Sequence, residues 1–286
     1  MKQMSPGKTK TSILQWLGPS GSGKTVLMDL LLPELREAFS VLIIDADPAG
    51  GISRLLLPVG TTWETVCRES SATAWLSGHL SSWREKPFEA VQEAIDWEVR
   101  NGLVSVSDEW DLFLLGPVAE PDAKHPELFS PENPDFKIAR KAFYYGFSRL
   151  VQEYDLVLID GIHPVLSGFM SKAEDWHHLP VHFCSLMVLN AAHTDLQETL
   201  RALHTAPEDL SGLLLNQCGD ASRVHEEMLA EIVASADIRL VGRVPKVDLT
   251  REHDRQRLCQ CLKDTLLRLD LPPLFEALDL DGEPLS

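Results

Sequence analysis

The chain has 286 residues, 44% apolar and 24% charged, the balance of an ordinary globular protein with ample length to bury a core. Its formal net charge of −17, from 26 basic and 43 acidic side chains, argues against non-specific adhesion to DNA or anionic lipid unless the basic groups cluster. The five cysteines (67, 184, 218, 259 and 261) are scattered, odd in number and include no CxxC pair, so neither a disulfide framework nor a zinc site is indicated.

In chain order, a polar N-terminal segment (1–11) has no apolar core, so neither a leader nor a spanning segment is expected, and the predicted location is cytoplasmic. "SILQWLG" (12–18) predicts a buried strand and a helix is expected from Lys24 to about Phe39. "VLIIDAD" (41–47) predicts a second strand, and 61–100 two or three helices, "PFEAVQEAIDWEV" the clearest. "WDLFLLG" (110–116) reads as a strand, and "PVAEPDAKHPELFSPENPDF" (117–136), with five prolines, as a surface loop.

"KIARKAFYYGFSRLVQE" reads as a helix and "YDLVLIDG" (154–161) as a strand. "HFCSLMVLN" (182–190) and "LSGLLLNQ" (210–217) follow as strands around a helix, "TDLQETLRALH". After another helix come a last strand, "IRLVGRVP" (238–245), and a helix over 250–269. The acidic tail 270–286, with Leu271, Leu274, Phe275 and Leu278, reads as a packed or frayed terminus or as a docking peptide. Strands and helices alternate, so one α/β domain with a mostly parallel sheet between helical layers is expected.

Gly18-Pro19-Ser20-Gly21-Ser22-Gly23-Lys24-Thr25 fits the phosphate-loop pattern G-x-x-x-x-G-K-[ST], and it follows a strand and opens a helix as that motif requires. Glycines let backbone N–H groups curl around phosphate oxygens and the helix N-terminus adds a favourable dipole. Gly18, Gly21, Ser22, Gly23, Lys24, Thr25 and Val26 are therefore the candidate nucleotide cradle. Lys24 is expected at the β/γ-phosphates and the Thr25 hydroxyl on Mg²⁺. Asp45, Asp47 and Asp160 stand at or just past strand ends, the side of a parallel sheet where ligands bind, so they are expected to converge there.

These motifs resemble the ParA/MinD family, the deviant-Walker P-loop ATPases that position plasmids, chromosomes and protein cargo. "VLIIDADPAGG" is similar to the family's D-x-D-P-Q-G strand end, "YDLVLIDG" to its Walker B strand, "GLLLNQ" to the strand ending in an adenine-reading asparagine, and "LVGRVPKVD" to the segment that closes over the base. The resemblance implies the three-layer P-loop NTPase fold, an ATP hydrolase with ATP and Mg²⁺ as ligands, and an ATP-dependent homodimer serving a protein, DNA or membrane-associated partner. It implies that Asp47 polarises the attacking water and that Asp45 and Asp160 support Mg²⁺. Asn216 would read adenine, although a strand-end asparagine is equally a turn former, and Pro245 would flank the base.

One position departs from the family. Where its loop carries a signature lysine that reaches the partner subunit's phosphates, this chain has Pro19, which carries no charge. Lys172 is the favoured substitute cation, ahead of Lys8 and Lys10; a partner's arginine, or slow hydrolysis in a nucleotide-held scaffold, are the alternatives. A small-molecule kinase shares the loop pattern, but the D-x-D-P-x-G strand end and the lack of an arginine-rich lid oppose it. His163, His177, His178 and His182 match no standard metal spacing. Arg251, Arg255, Arg257, Lys263 and Arg268 are interleaved with acids, as on a solvated helix face rather than a DNA-binding one. Trp63, Trp75, Trp83, Trp97 and Trp110 fit core packing or a partner surface equally.

Overall fold

The computed structural model describes residues 11–83, 85–106, 110–116, 133–162, 179–192, 200, 201, 203, 210–219, 222–269 and 271, without the side chains of 36 and 77–82. Their elements run β1 (Thr11–Leu17), α1 (Lys24–Ala38), β2 (Val41–Asp45), α2 (Gly51–Leu56), α3 (Trp63–Ser70), α4 (Ala72–Trp83), α5 (Phe88–Asn101), β3 (Leu103–Ser105) and β4 (Trp110–Leu114). Then come α6 (Pro134–Val151), β5 (Leu156–Asp160), β6 (Val181–Asn190), β7 (Gly212–Cys218), α7 (Arg223–Ser235), β8 (Leu240–Pro245) and α8 (Glu252–Leu266).

Side chains alternate across each central strand, and both faces are apolar, as a sheet covered on both sides requires. Leu14 and Trp16 of β1, Ile43 of β2 and Leu158 of β5 pack with α1 and α8, whereas Ile13, Leu42, Ile44, Val157 and Ile159 pack with α4, α5 and α6. Leu17, Met187, Leu189, Leu213 and Leu215 meet Leu229 and Val233 of α7. The strand order is β3-β4-β2-β5-β1-β6-β7-β8, all neighbours parallel except β3 with β4. This is the expected three-layer α/β architecture.

Register decides which residues share the carboxyl edge. Asp45 lies opposite Asp160 on β5, Asp160 opposite Trp16 on β1, and Asn190 of β6 opposite Asn216 of β7. The sheet order β2-β5-β1 brings two aspartates distant in sequence to adjacent strand ends, beside the loop that leaves β1.

Three expectations need correction. A short antiparallel strand, β3, precedes the expected 110–116 strand, and a helix, α2, fills the turn after "DPAGG". Residues 134–136 are not loop: the Asn133 side chain accepts from the Asp135 N–H at 2.9 Å and Pro134 occupies the first turn, so an N-cap starts α6 there. Most of the 117–136 segment, the 194–204 helix and the tail lie outside the described residues, but Leu271 is buried against α8. Trp75 and Trp83 are core residues while Trp97 is 64% exposed. All five cysteines are free.

Candidate functional site: a phosphate loop with converging oxygens

β1 delivers its chain into a loop that only glycine can form. Gly18, Gly21 and Gly23 have φ of 131°, 74° and 91°, and a Cβ on Gly18 would lie 2.2 Å from the Val188 carbonyl oxygen. Gly23 is the N-cap of α1, so the N–H groups of the first turn face the loop's interior. Lys24 Nζ donates to the carbonyl oxygens of Gly18 and Pro19 at 2.8 and 3.1 Å, arching over the cradle. Pro19 contributes its backbone carbonyl as one of the two acceptors. Burial lowers the Lys24 pKa, opposed by the charges of Asp160 and Asp47. Val26 is 41% exposed just past the loop.

Two of the three aspartates, Asp47 and Asp160, bring an oxygen close to Thr25, whereas Asp45, expected to join them, is tied to Ser53 instead. Thr25 Oγ1 donates to Asp160 Oδ2 at 2.9 Å. A Cβ on Gly51 would stand 2.7 Å from Asp160 Oδ2, 3.0 Å from Thr25 Oγ1 and 3.3 Å from Asp47 Oδ2, so the three oxygens surround one point. Asp160 Oδ1 is buried and has no hydrogen-bond partner. Burial raises the Asp160 pKa, eased by the Thr25 hydroxyl and Lys24. An oxygen-only set with an unsatisfied buried carboxylate oxygen suits a hard divalent cation. Among the described residues no group of three or more His, Cys, Asp or Glu is placed to hold a metal ion by itself. Two carboxylates and a hydroxyl leave room for phosphate oxygens and water, the usual company of Mg²⁺.

Asp45 shares the edge but does not face that point. Its Oδ2 accepts from the Ser53 N–H at 2.9 Å and from the Ser53 hydroxyl, and its Oδ1 accepts from the Asp47 N–H at 3.1 Å. Burial pushes its pKa to about 7 against these hydrogen bonds. Asp45 therefore holds the segment 47–53 in shape. Asp47 Oδ1 accepts from the Ala49 N–H at 2.8 Å, and Arg54, stacked 4.5 Å over Trp63, donates to the Ala49 carbonyl at 2.9 Å.

Asn216 lies beneath the loop, its amide donating to the Ser22 carbonyl at 2.9 Å. Asn190, unanticipated from sequence, does the same for the Gly21 carbonyl at 3.1 Å. Ser53, Gly51 and Arg54 were likewise not anticipated; a serine eight residues past an aspartate carries no motif signal. Pro245 ends β8 opposite Cys218 and borders a groove of about 640 Å³ lined also by Arg223, Arg243 and Arg257, which includes none of Lys24, Thr25, Asp47 or Asp160. Lys172, Lys8, Lys10, His163, His177 and His178 lie outside the described residues.

No protein-family model matches this chain, and no curated protein matches it in sequence. Solved structures match it in fold. The chain is similar to a plasmid partition protein from Borrelia burgdorferi, with 15% identity, 91% of this chain and 100% of that chain covered, and a TM-score of 0.52. It is similar to the cobyrinic acid a,c-diamide synthase of Mycobacterium smegmatis, a structure with bound ATP analog and magnesium (15% identity, 90% and 96% covered, TM-score 0.54), and to apo McdA of Cyanothece (14%, 95% and 98%, TM-score 0.52). The shared fold is the three-layer P-loop NTPase fold, an eight-stranded, mostly parallel sheet flanked by helices. At these identities the likeness is one of fold.

Proposed function

We propose that this chain is an ATP-binding switch ATPase of the ParA/MinD kind, which closes with ATP as a homodimer and positions or assembles a partner. The observation that carries the reading is the gathering of Thr25, Asp47 and Asp160 oxygens around one point beside the phosphate loop. Structures of similar fold with ATP, ADP, an ATP analog and magnesium support ATP and Mg²⁺ as its ligands.

Thr25 and Asp160 would hold Mg²⁺, with Asp160 Oδ1 the free acceptor, and the bound cation would neutralise charge on the β- and γ-phosphate oxygens. Lys24 moves from the Gly18 and Pro19 carbonyls onto the β/γ-phosphates. Asp47 orients the attacking water, and Asp45 keeps Asp47 in place through its backbone N–H. The base rests toward the ends of β7 and β8, where Pro245 stands. The γ-phosphate is the group whose presence distinguishes the two states, the differential contact a switch needs.

Pro19 favours a second reading. Without a cation at that position, hydrolysis is slow unless Lys172 or a partner's arginine substitutes, and the protein acts as a nucleotide-held scaffold. ATP turnover, measured alone and with DNA, anionic vesicles and partner proteins captured in ATP, separates the readings. Turnover stimulated by a partner supports the switch, and tight ATP retention without turnover supports the scaffold. Turnover that requires a small metabolite contradicts both and identifies a phosphotransferase. The net charge of −17 favours protein cargo over bare DNA.

A further inference from the structure

The ends of β6 and β7 carry a matched pair of side chains. Asn190 and Asn216 face each other in register, both nearly buried, and each ends its strand's apolar run. Their Nδ2 groups donate to two successive carbonyls of the phosphate loop, Asn190 to Gly21 at 3.1 Å and Asn216 to Ser22 at 2.9 Å.

The other end of each amide fixes its orientation. Asn190 Oδ1 accepts from the Ala192 N–H at 2.9 Å, and Asn216 Oδ1 accepts from the Gln217 N–H at 2.8 Å. Since only a carboxamide oxygen can accept these, the NH₂ groups must point at the loop. Gln217 takes φ of 58°, an uncommon value for a residue other than glycine, immediately after the asparagine whose oxygen its N–H meets. A Cβ on Gly23 would approach Asn216 Nδ2 to 2.3 Å, so the loop's last glycine is required by the asparagine beneath it.

A trans peptide points its carbonyl and its N–H in opposite directions. Tying the Ser22 carbonyl down to β7 therefore turns the Gly23 N–H up, into the cradle. The Gly21 carbonyl is tied to β6, and the Ser22 N–H of that same peptide closes on the Pro19 carbonyl at 3.2 Å, which sets the loop's curl.

We infer that Asn190, paired with Asn216, is a positioning residue that pre-shapes the phosphate loop from below. Asn216 braces the neighbouring Ser22 carbonyl in the same way. This builds on the nucleotide-binding reading above but goes beyond it, because it assigns what aims the donors. A brace of this kind acts on every ligand with the same phosphates, whatever its base, whereas a base reader acts on one base.

The test compares Asn190→Ala, which deletes the donor, and Asn190→Asp, which sets an acceptor against the Gly21 carbonyl. Dissociation constants for ATP, GTP and inorganic tripolyphosphate are measured with Mg²⁺, and amide hydrogen exchange across residues 19–25 is measured in the ligand-free protein. The expected result is a loss of about fivefold for alanine and roughly tenfold or more for aspartate, the same for all three ligands. Faster exchange confined to the loop accompanies it. Wild-type affinities with unchanged loop exchange overturn the inference, as does a loss restricted to ATP or a general fall in melting temperature with no exchange change local to the loop. If the wild-type protein binds none of the three ligands, the proposed function fails on its own, while the exchange measurement still decides whether Asn190 shapes the loop.

Discussion

Gly51 is the residue on which the site's geometry turns, because the space its missing side chain leaves is shared by Asp160, Thr25 and Asp47. Gly51→Ala places a methyl group among those oxygens at the start of α2, where alanine suits the helix. The variant should fold, yet bind Mg²⁺-nucleotide roughly a hundredfold more weakly, as titration calorimetry in Mg²⁺ and in EDTA would show. Unaltered Mg²⁺-dependent affinity would remove the convergence argument. Asp45 supports a different experiment. Its folded pKa of about 7 is raised above the unfolded carboxylate value, so the native state binds the extra proton between those pH values. Unfolding free energy then falls as pH rises from 5 to 7, with a slope approaching about 1.4 kcal/mol per pH unit relative to Asp45→Asn. Urea titrations of both proteins across that window check it, and a wild-type curve rising against the variant contradicts the burial of Asp45.

Among the elements, α6 carries the packing of one sheet face. Phe143 stacks on Phe147 with centroids 5.4 Å apart, and Trp75 and Phe113 lie 5.8 and 6.4 Å from it. Phe143→Ala should cost about 3–5 kcal/mol in chemical denaturation, while Trp97→Ala, on the exposed side of α5, should stay within about 0.5 kcal/mol. A large loss at Trp97 would reveal a contact that α5 does not make here. The central strands and most of the long helices were legible in the sequence, because continuous apolar runs such as "VLIID" and "LVLID" have one use in a covered parallel sheet. The three-residue β3 was not, since so short a segment carries no period, and α2 was hidden by the glycines that open it. The phosphate loop and its aspartates were visible as local motifs. Asn190 was not, because its partner Gly21 lies 169 residues away and only the register of β6 joins them.

At the scale of the whole molecule, the sheet order places the phosphate loop at its centre and the strand ends that serve it on both sides. The proposed homodimer would bring two copies together across that edge. Sedimentation should show a dimer in ATP and Mg²⁺ and a monomer in ADP; an unchanged mass in both would restrict the protein to a monomeric switch or scaffold. The most direct measurement is ATP binding by calorimetry for the wild type and Asp160→Asn, each with Mg²⁺ and with EDTA. The account predicts tight binding that depends on Mg²⁺ in the wild type and loses that dependence in the variant. Equal affinity in all four titrations would contradict it.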